Sequence, residues 1–479
     1  MYLSKYHIIH QYPDGSRVLL NTLGGGMTRL DDGDWPASGQ LFPAGADPTG
    51  NLTADGLTEE ERKTLLRAGL LFGDKEEEDR LVQYWMERRR KELESEPVAH
   101  VIYLSYHCNL KCTYCCYAGL RDRKKVMERA DIDRVMRMVE KTQRESGRNS
   151  RICLFGGEPL QRSSYGLVEY ALESIKKLAD REREFGRRCR AMIFTNGMEL
   201  PFYRELLGKY REYIEHILVT LIGTKSIHDR LRISGDGKGS FERVARGVGE
   251  LLETGIRTWL VTNIDRTNLD ELTENVRLVK ERGWDKYGNF EGYYFGRIKY
   301  YDQNHENAVT ESELLEEAVK RLAGKEEAQN MYNFGDMRLL KAVKNFYLFS
   351  TGKSSKAFHT PYGCSSGSLS QFSYDAGGTL YTCSGAMGIR GYEIGAYSPE
   401  GAVDDKKAQW WKRREVRAIG KCRDCPVAFL CGGGCAYAAK EINGSEYLPC
   451  CTDSEKLLHT YLDAVYHGIR IRYRDLLRE

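Results

Sequence analysis

The residues best equipped for chemistry are cysteines. The stretch HCNLKCTYCCYAG, residues 107–119, sets Cys108, Cys112 and Cys115 at C-x3-C-x2-C spacing, and Cys116 follows at once. Three thiolates at these intervals converge on one metal centre, because the residues between them wrap a single turn around it. A structural zinc site takes four ligands, often from paired C-x2-C knuckles, so three is the informative number. A four-iron, four-sulfur cluster held by three cysteines keeps one iron free for an outside ligand. At the end of the next apolar run lies LFGGEPL. Its Gly156 and Gly157 permit close backbone approach to a ligand, and Glu158 offers an acceptor for an ammonium group.

A second cysteine field occupies the C-terminal part. Cys364 and Cys383 flank Gly378 as C-x13-G-x4-C, then Cys422, Cys425, Cys431 and Cys435 follow as C-x2-C-x5-C-x3-C, and Cys450 and Cys451 close the series. Zinc ribbons are the structural alternative, since they share C-x2-C. The chain has 14 cysteines and, in MYLSKYHIIHQYPDG, no secretory signal. The expected compartment is therefore the reducing cytoplasm, where grouped thiols hold metal or do redox chemistry rather than form disulfides. Cys153 and Cys189 stand apart and read as ordinary buried thiols. The 72 basic and 69 acidic side chains nearly cancel, at net +3. That balance gives no case for nucleic acid, and with no eighteen-residue apolar run there is none for a membrane.

At 479 residues the chain is too long for one ordinary core. Residues 1–95 read as a separate small α+β module: strands YHIIHQY and RVLLNTLGGGMTRL around a Pro13-Asp14-Gly15 turn, a looser segment over 31–56, and a helix capped by Thr58 and Glu61 and stopped at Gly69. KEEEDRLVQYWMERRRKELESE reads as a solvated helix or linker whose basic cluster, Arg88 to Lys91, needs no anionic partner. From 98 to 305, apolar strands alternate with amphipathic helices, the pattern of parallel β/α units. Strands are expected at AHVIYLSY, ICLFG, AMIFTNG, HILVTLIG, RTWLVTNI and FEGYYFGRI. The six units make an α/β fold, a partial (β/α)6 TIM-type barrel with its reactive loops at the carboxyl ends of the strands. Residues 306–359 read as a helical bridge, 360–455 as a Cys-rich domain that needs metal to hold it together, and 456–479 as a C-terminal helix.

The loop resembles that of the radical S-adenosylmethionine (SAM) enzymes, whose signature is C-x3-C-x2-C with an aromatic residue before the third cysteine; Tyr114 occupies that position. The resemblance makes Cys108, Cys112 and Cys115 ligands of a cluster whose free iron is chelated by SAM, with Tyr114 beside the adenine. LFGGEPL is similar to the family's GGEP motif, which receives the SAM amino group through Gly156, Gly157 and Glu158. VTLIGTKSIHDRLR resembles the strand that carries a hydroxyl and then an arginine near the SAM carboxylate, which implies Thr220 and Arg232; His228 and Asp229 brace that loop. The C-terminal field resembles the SPASM extension, which binds two auxiliary iron-sulfur clusters, for three 4Fe-4S clusters in all. By that likeness Cys364, Cys383 and Cys435 hold the first, and Cys422, Cys425, Cys431 and either Cys450 or Cys451 hold the second. Some relatives have another cysteine six residues after the first; here that position is Ser370. The first cluster then either has an open iron or is completed by the spare member of the Cys450–Cys451 pair. Cys116 has no role in the family pattern.

Members of this family cleave SAM reductively to a 5′-deoxyadenosyl radical, fed by a low-potential electron donor such as flavodoxin or ferredoxin. Those with the extension modify peptides. A sulfatase formylglycine maturase generally places Asp after the cysteine of G-x4-C, whereas Ser384 follows Cys383 here. The N-terminal module loosely resembles the winged-helix elements that grip a leader peptide by strand addition. The reading that follows is a maturase of a ribosomal precursor peptide that makes thioether links of the sactipeptide or ranthipeptide kind. A carbon–carbon cyclase, a sulfatase maturase and a non-catalytic iron-sulfur carrier are the alternatives.

Overall fold

In the computed structural model, residues 2–30, 58–121, 123–298, 305–335, 337–399 and 401–473 are described. The loose segment expected over 31–56 lies outside them. The N-terminal part contains β1 (Tyr2–Leu3), β2 (His7–Gln11), β3 (Arg17–Asn21), β4 (Met27–Leu30), α1 (Glu59–Arg67), β5 (Leu71–Phe72) and α2 (Lys75–Ser95). Strands β2, β3 and β4 form an antiparallel sheet, and β1 pairs with β5. The run RVLLNTLGGGMTRL, expected as one strand, is a hairpin. Asn21 Oδ1 accepts from the amides of Leu23 and Gly24 (2.9 Å each), and Gly25 turns the chain at φ +77°. Helix α1 has the expected capping box and stops at Gly69, φ +65°.

Helix α2 is not merely solvated. Val82, Trp85, Met86 and Leu93 are buried on one face, where Val82, Trp85 and Met86 share a core with Val416, Ile419, Cys422 and Phe429 of the Cys-rich region. Its arginines do have partners: Arg89 pairs with Glu96 at 2.9 Å, and Arg90 pairs with Glu415. Tyr6 packs 5.0 Å from Phe429, and His359 Nε2 meets the Leu23 carbonyl at 2.7 Å. The N-terminal module is thus seated on the Cys-rich segment.

The large sheet is built from β6 (Val98–Tyr103), β7 (Ser150–Phe155), β8 (Cys189–Thr195), β9 (Ile214–Thr220), β10 (Thr258–Ile264) and β11 (Phe290–Arg297), all parallel and in chain order. Every residue of β6 is buried, as a strand covered on both faces requires. The helices between them are α3 (Arg129–Ser146), α4 (Tyr165–Arg183), α5 (Leu200–Lys209), α6 (Lys225–Leu231), α7 (Phe241–Leu252) and α8 (Glu271–Arg282). Their apolar stripes face the sheet. In α7, Val244, Val248, Leu251 and Leu252 are buried, each contributing about 2 kcal/mol relative to exposure. Cys153 and Cys189 are buried core thiols, both pushed up to about 12 by burial.

The sheet runs on beyond six strands. After α9 (Glu311–Leu322) and α10 (Glu326–Met331), β12 (Tyr332–Asn333) adds parallel to β11; after α11 (Arg338–Ser350), β13 (Gln371–Tyr374) adds parallel to β6. Antiparallel β14 (Thr379–Tyr381), β15 (Glu393–Ala396) and β16 (Ala402–Val403) follow β13. The Cys-rich region therefore does not rest on metal alone: Tyr374, Leu380, Ile394 and Tyr397 belong to the same core as the barrel. Helices α12 (Asp405–Arg413), α13 (Ala428–Cys431), α14 (Ala436–Asn443) and α15 (Ser454–Tyr466) complete the chain. The helix expected over 456–479 ends at Tyr466 among the described residues, because Gly468 at φ +71° reverses the backbone and the Ile469 amide closes on Ala464; its last part, 474–479, lies outside them. No helix among the described residues is long and apolar enough to cross a membrane.

Candidate metal and cofactor centre

The cysteine loop leaves β6 at the carboxyl end of the sheet. It is fixed by backbone rather than by its own side chains. Lys111 and Thr113 amides donate to Ile233 and Leu231 (2.7 and 3.0 Å), Gly235 donates to Asn109 (2.9 Å), and Leu110 is fully buried. The segment after α6 thereby brings Arg232 beneath the loop. Arg232 is 4% exposed, and its Nη1 donates to the Tyr114 hydroxyl at 2.9 Å. Burial opposes its charge, but Tyr114 and Cys112 outweigh that and hold it protonated. His228 and Asp229 do brace this segment. His228 Nδ1 accepts from the Ile222 amide (3.2 Å) and Nε2 meets Ser240 Oγ (3.0 Å), while Ser240 donates to the Arg232 carbonyl (2.8 Å) and Asp229 accepts from Phe241 (2.8 Å). Thr220 lies at the end of β9, half-buried.

The glycines after β7 also make a close contact within the chain. The Gly157 amide donates to Ser105 (2.9 Å) and the Glu158 amide to His107 (3.0 Å). A Cβ on Gly156 would strike the Ser105 carbonyl, and one on Gly157 the carbonyls of Tyr106 and His107. Their close approach is to the start of the cysteine loop, so the two motifs are locked together. Glu158, 3% exposed, is already engaged. Its Oε1 accepts from the Leu160 amide (2.8 Å) and Thr195 Oγ1 (2.7 Å), and Oε2 from the Asn196 amide (2.5 Å). The carboxylate ties the end of β7 to the end of β8.

Burial pushes Glu158 up to about 7 from 4.5, against the pull of its three donors and Arg232. The fold binds this proton more tightly than the unfolded chain does. Its contribution to stability is complete below pH 4.5 and fades as pH rises through 7, by about 3 kcal/mol. Urea midpoints of the protein without added SAM, taken from pH 4.5 to 8, are expected to show that fall relative to Glu158→Gln. A pH-independent difference between the two proteins contradicts the assignment.

Sequence reasoning missed Asn196. Its Nδ2 donates to Asn109 Oδ1 (2.6 Å) and lies 3.7 Å from Cys108 Sγ, and its carbonyl accepts from Arg232 at 3.5 Å. Gln161 was missed as well; it clamps His107 through Oε1 to Nδ1 (2.8 Å) and Nε2 to the carbonyl (3.0 Å). The signal was available for Asn196, because the polar pair Thr195-Asn196 ends an apolar strand at the same level as the other two motifs. Arg121 donates to the Cys112 carbonyl (3.3 Å) and is held charged, against burial, by Cys115.

The second field is joined to this centre. Tyr103 and Tyr117 hydroxyls meet at 2.9 Å, Tyr117 donates to the Ser384 carbonyl (3.0 Å), and Arg123 donates to Gly388 (2.8 Å). Cys383 is pushed up to about 12 by burial and by Cys364 and Cys435. Cys422 is pushed up to about 12 by burial and then by Cys431, Cys425 and Cys451. Between the two sets Gly432, Gly433 and Gly434 are all left-handed (φ +66°, +77° and +74°), a turn only glycine makes freely. Cys435 then caps α14, its Sγ accepting from the Ala438 amide at 3.5 Å.

Among the described residues no three Cys, His, Asp or Glu side chains gather as a lone metal ion needs. A cluster instead spreads its thiolates around a cube. The donor set suits that group: three half-buried thiols in one loop, with cationic Arg232 and Arg121 beside them to offset thiolate charge. Arg232 Nε is buried with no partner among the described residues, a donor left for a bound anionic group.

Residues 102–279 match the model of the radical SAM superfamily. The Fe-coproporphyrin III synthase of Methanosarcina barkeri is 28% identical over 180 residues, 37% of this chain and 40% of that one. A cysteine-type anaerobic sulfatase-maturating enzyme of Clostridium novyi is 22% identical over 182 residues, 37% of this chain and 46% of that one. The matches span less than half the length of these two curated relatives. Among solved structures, native anSMEcpe with bound AdoMet superposes with TM-score 0.58 at 17% identity, over 77% of this chain and 97% of that one. Streptococcus suis SuiB bound to precursor peptide SuiA superposes with TM-score 0.53 at 15% identity, over 94% of this chain and 99% of that one. At such identities the superpositions speak for a common fold. With the family match lying across the cysteine loop, the GGEP turn and Arg232, residues 102–279 carry a radical SAM domain.

Proposed function

We propose that the chain is a maturase of a ribosomally made precursor peptide, joining a Cys sulfur of that peptide to carbon as a thioether. The observation that carries this reading is the extent of the likeness: the SuiB superposition takes in 94% of the chain, the anSMEcpe superposition 77%. A sulfatase-maturase scaffold leaves about a quarter of this chain unaccounted for, whereas a precursor-peptide enzyme resembles nearly all of it. Ser384 after Cys383, in place of an Asp, favours the same side. The three-stranded N-terminal sheet supports it too, since β2 and β4 each pair on one side only among the described residues, and a free edge suits strand addition by a leader peptide.

With Cys108, Cys112 and Cys115 as ligands, a 4Fe-4S cluster and SAM supply a 5′-deoxyadenosyl radical that takes a hydrogen atom from the substrate. This chain's part is placement. Arg232, which holds the Tyr114 hydroxyl, would pair with the SAM carboxylate, Tyr114 would lie beside the adenine, and Thr220 would offer its hydroxyl at the strand end. The Gly156-Gly157-Glu158 turn, locked against His107, borders the amino group. The C-terminal thiols would hold two auxiliary clusters, which would supply electron acceptors for ring closure. A low-potential donor such as flavodoxin or ferredoxin supplies the reducing electron.

The test is anaerobic incubation with SAM, reductant and a short cysteine-bearing peptide encoded beside the gene. The expected product is lighter by two hydrogens per link and has lost one alkylatable thiol per link. The same mass loss with all thiols intact identifies a carbon–carbon cyclase. Formylglycine in a Cys-x-Pro-x-Arg peptide identifies a sulfatase maturase, and absence of 5′-deoxyadenosine an electron carrier; each of these overturns the proposal.

A further inference from the structure

The barrel strands have a second end. Opposite the cysteine loop, where β6 to β10 begin, lies a cavity of about 630 Å³, the size of a small-molecule site. Five arginines line it: Arg151 on β7, Arg190 on β8, Arg188 and Arg211 just before β8 and β9, and Arg257 just before β10. No lysine among the described residues joins them, and the acidic members of the lining are Glu212 and Glu215.

Arg151 is the buried member. It is 5% exposed, and Glu215 takes two of its nitrogens, Nε at 2.8 Å and Nη2 at 3.1 Å. Its Nη1 is buried with no partner among the described residues, and so is the hydroxyl of the adjacent Ser150, itself 4% exposed. Buried polar atoms left unpaired cost stability unless a ligand or water meets them. At the rim, Arg188, Arg190 and Arg211 are exposed, and their guanidiniums make no ion pair or hydrogen bond among the described residues. Arg188 is fixed by its backbone: its amide donates to Asn149 Oδ1 (2.8 Å), and its carbonyl accepts from the Ser150 amide (2.9 Å). Arg257 is bonded to Glu291. Arg151 and Arg190 hold paired positions on adjacent strands. Like charges gathered in this way repel one another, and an anion among them turns that cost into attraction. Glu215 is already engaged by Arg151, and one exposed Glu212 does not offset three unpaired guanidiniums.

We infer that this cavity binds a small ligand bearing phosphoryl groups, of the pyrophosphate class, at the opposite end of the strands from the cysteine loop. Guanidinium forks suit phosphate oxygens, which accept bidentately from several directions at once. A concave site on a chain of nearly balanced charge argues against a track for nucleic acid. From Arg151 to Gly156 the chain of β7 runs roughly 16 Å, so a ligand here does not touch a group held at the cysteine loop. It would fasten the starting ends of β7, β8 and β9 to one another.

The test is calorimetric titration of inorganic pyrophosphate into the full chain, reconstituted anaerobically, with and without SAM. One equivalent is expected to bind in both cases, more weakly as salt is raised, and to raise the unfolding temperature. ADP and citrate are the other arms. ADP binding more tightly than pyrophosphate identifies a nucleotide as the source of the phosphoryl groups, equal or weaker binding a smaller phosphate compound, and citrate should bind more weakly than either. The double variant Arg188→Ala, Arg211→Ala alters exposed side chains and should weaken pyrophosphate binding at least about tenfold with the circular dichroism unchanged. Arg151→Lys keeps a cation beside Glu215 but removes the free fork, and should act in the same direction. Arg204→Ala, exposed and paired with Glu253 away from the cavity, should change nothing. No binding at millimolar pyrophosphate, binding that SAM abolishes, binding indifferent to both the rim and the Arg151 variants, or tighter binding of citrate or of a single-stranded RNA oligonucleotide would each overturn the inference.

Discussion

A Cys112→Ala variant, reconstituted anaerobically, is expected to form no 5′-deoxyadenosine above background and to lose about a third of its iron. Cys112 is the middle cysteine of a loop whose position is dictated by its neighbours: Lys111 and Thr113 are bonded to Ile233 and Leu231, on either side of Arg232. The backbone therefore survives the substitution while one of three thiolates is gone. Two thiolates do not hold a cube, so the effect is loss of a cluster rather than a weaker one. The auxiliary sets lie on other segments and should keep their irons, which makes the size of the loss diagnostic. Iron assay, circular dichroism and chromatography of SAM products on the same sample check the three parts together. Full iron with turnover intact would remove Cys112 from the centre.

Gly157→Ala is expected to be the most damaging single methyl addition in the domain. The new Cβ meets main-chain oxygens of Tyr106 and His107, not the tip of a side chain that can swing away. To relieve the overlap, the turn must lift from the loop and give up two hydrogen bonds, Gly157 to Ser105 and Glu158 to His107. Overpacking costs about 1–3 kcal/mol and each lost bond about 1 kcal/mol, for a total of about 3–5 kcal/mol. The displacement also passes directly to the residue before Cys108, so SAM turnover should fall with stability. Gly166→Ala is the control: it lies in α4 with nothing within 4 Å of a Cβ, and should change stability by under about 1 kcal/mol, in the stabilising direction. Denaturant midpoints measure both. A wild-type midpoint for Gly157→Ala would show that the two motifs are not packed as described.

The strand and helix order of the barrel was legible because burial on both faces writes itself as unbroken apolar runs, and β6 to β11 fall on the six runs read as strands. The cysteine groups stood out because cysteines at fixed intervals are the pattern of metal binding and redox chemistry. What escaped was long-range or written in single residues. Nothing local in FSYD announces that β13 will pair with β6 some 270 positions earlier, the step that fuses the Cys-rich region to the barrel. The hairpin between β3 and β4 was hidden by apolar residues on both sides of Leu23, and only the Asn21 side chain and Gly25 reveal it. Gly156 and Gly157 were recognised as places of close approach, and the cysteine loop is one partner that sequence did not show. Glu158 was recognised as an acceptor, but its donors come from three amide and hydroxyl groups of this chain. Sequence shows that a residue is unusual; the fold shows which neighbour it is unusual for.

If three loop cysteines leave one iron of a cluster for SAM, that iron must sense the cofactor. Electron-resonance spectroscopy of the reduced, anaerobically reconstituted protein, with and without SAM, tests this most directly. A cluster signal that shifts when SAM is added, and is missing in the Cys108, Cys112 and Cys115 triple variant, is the predicted result. Zinc in place of iron, or a loop-cluster signal indifferent to SAM, would contradict it.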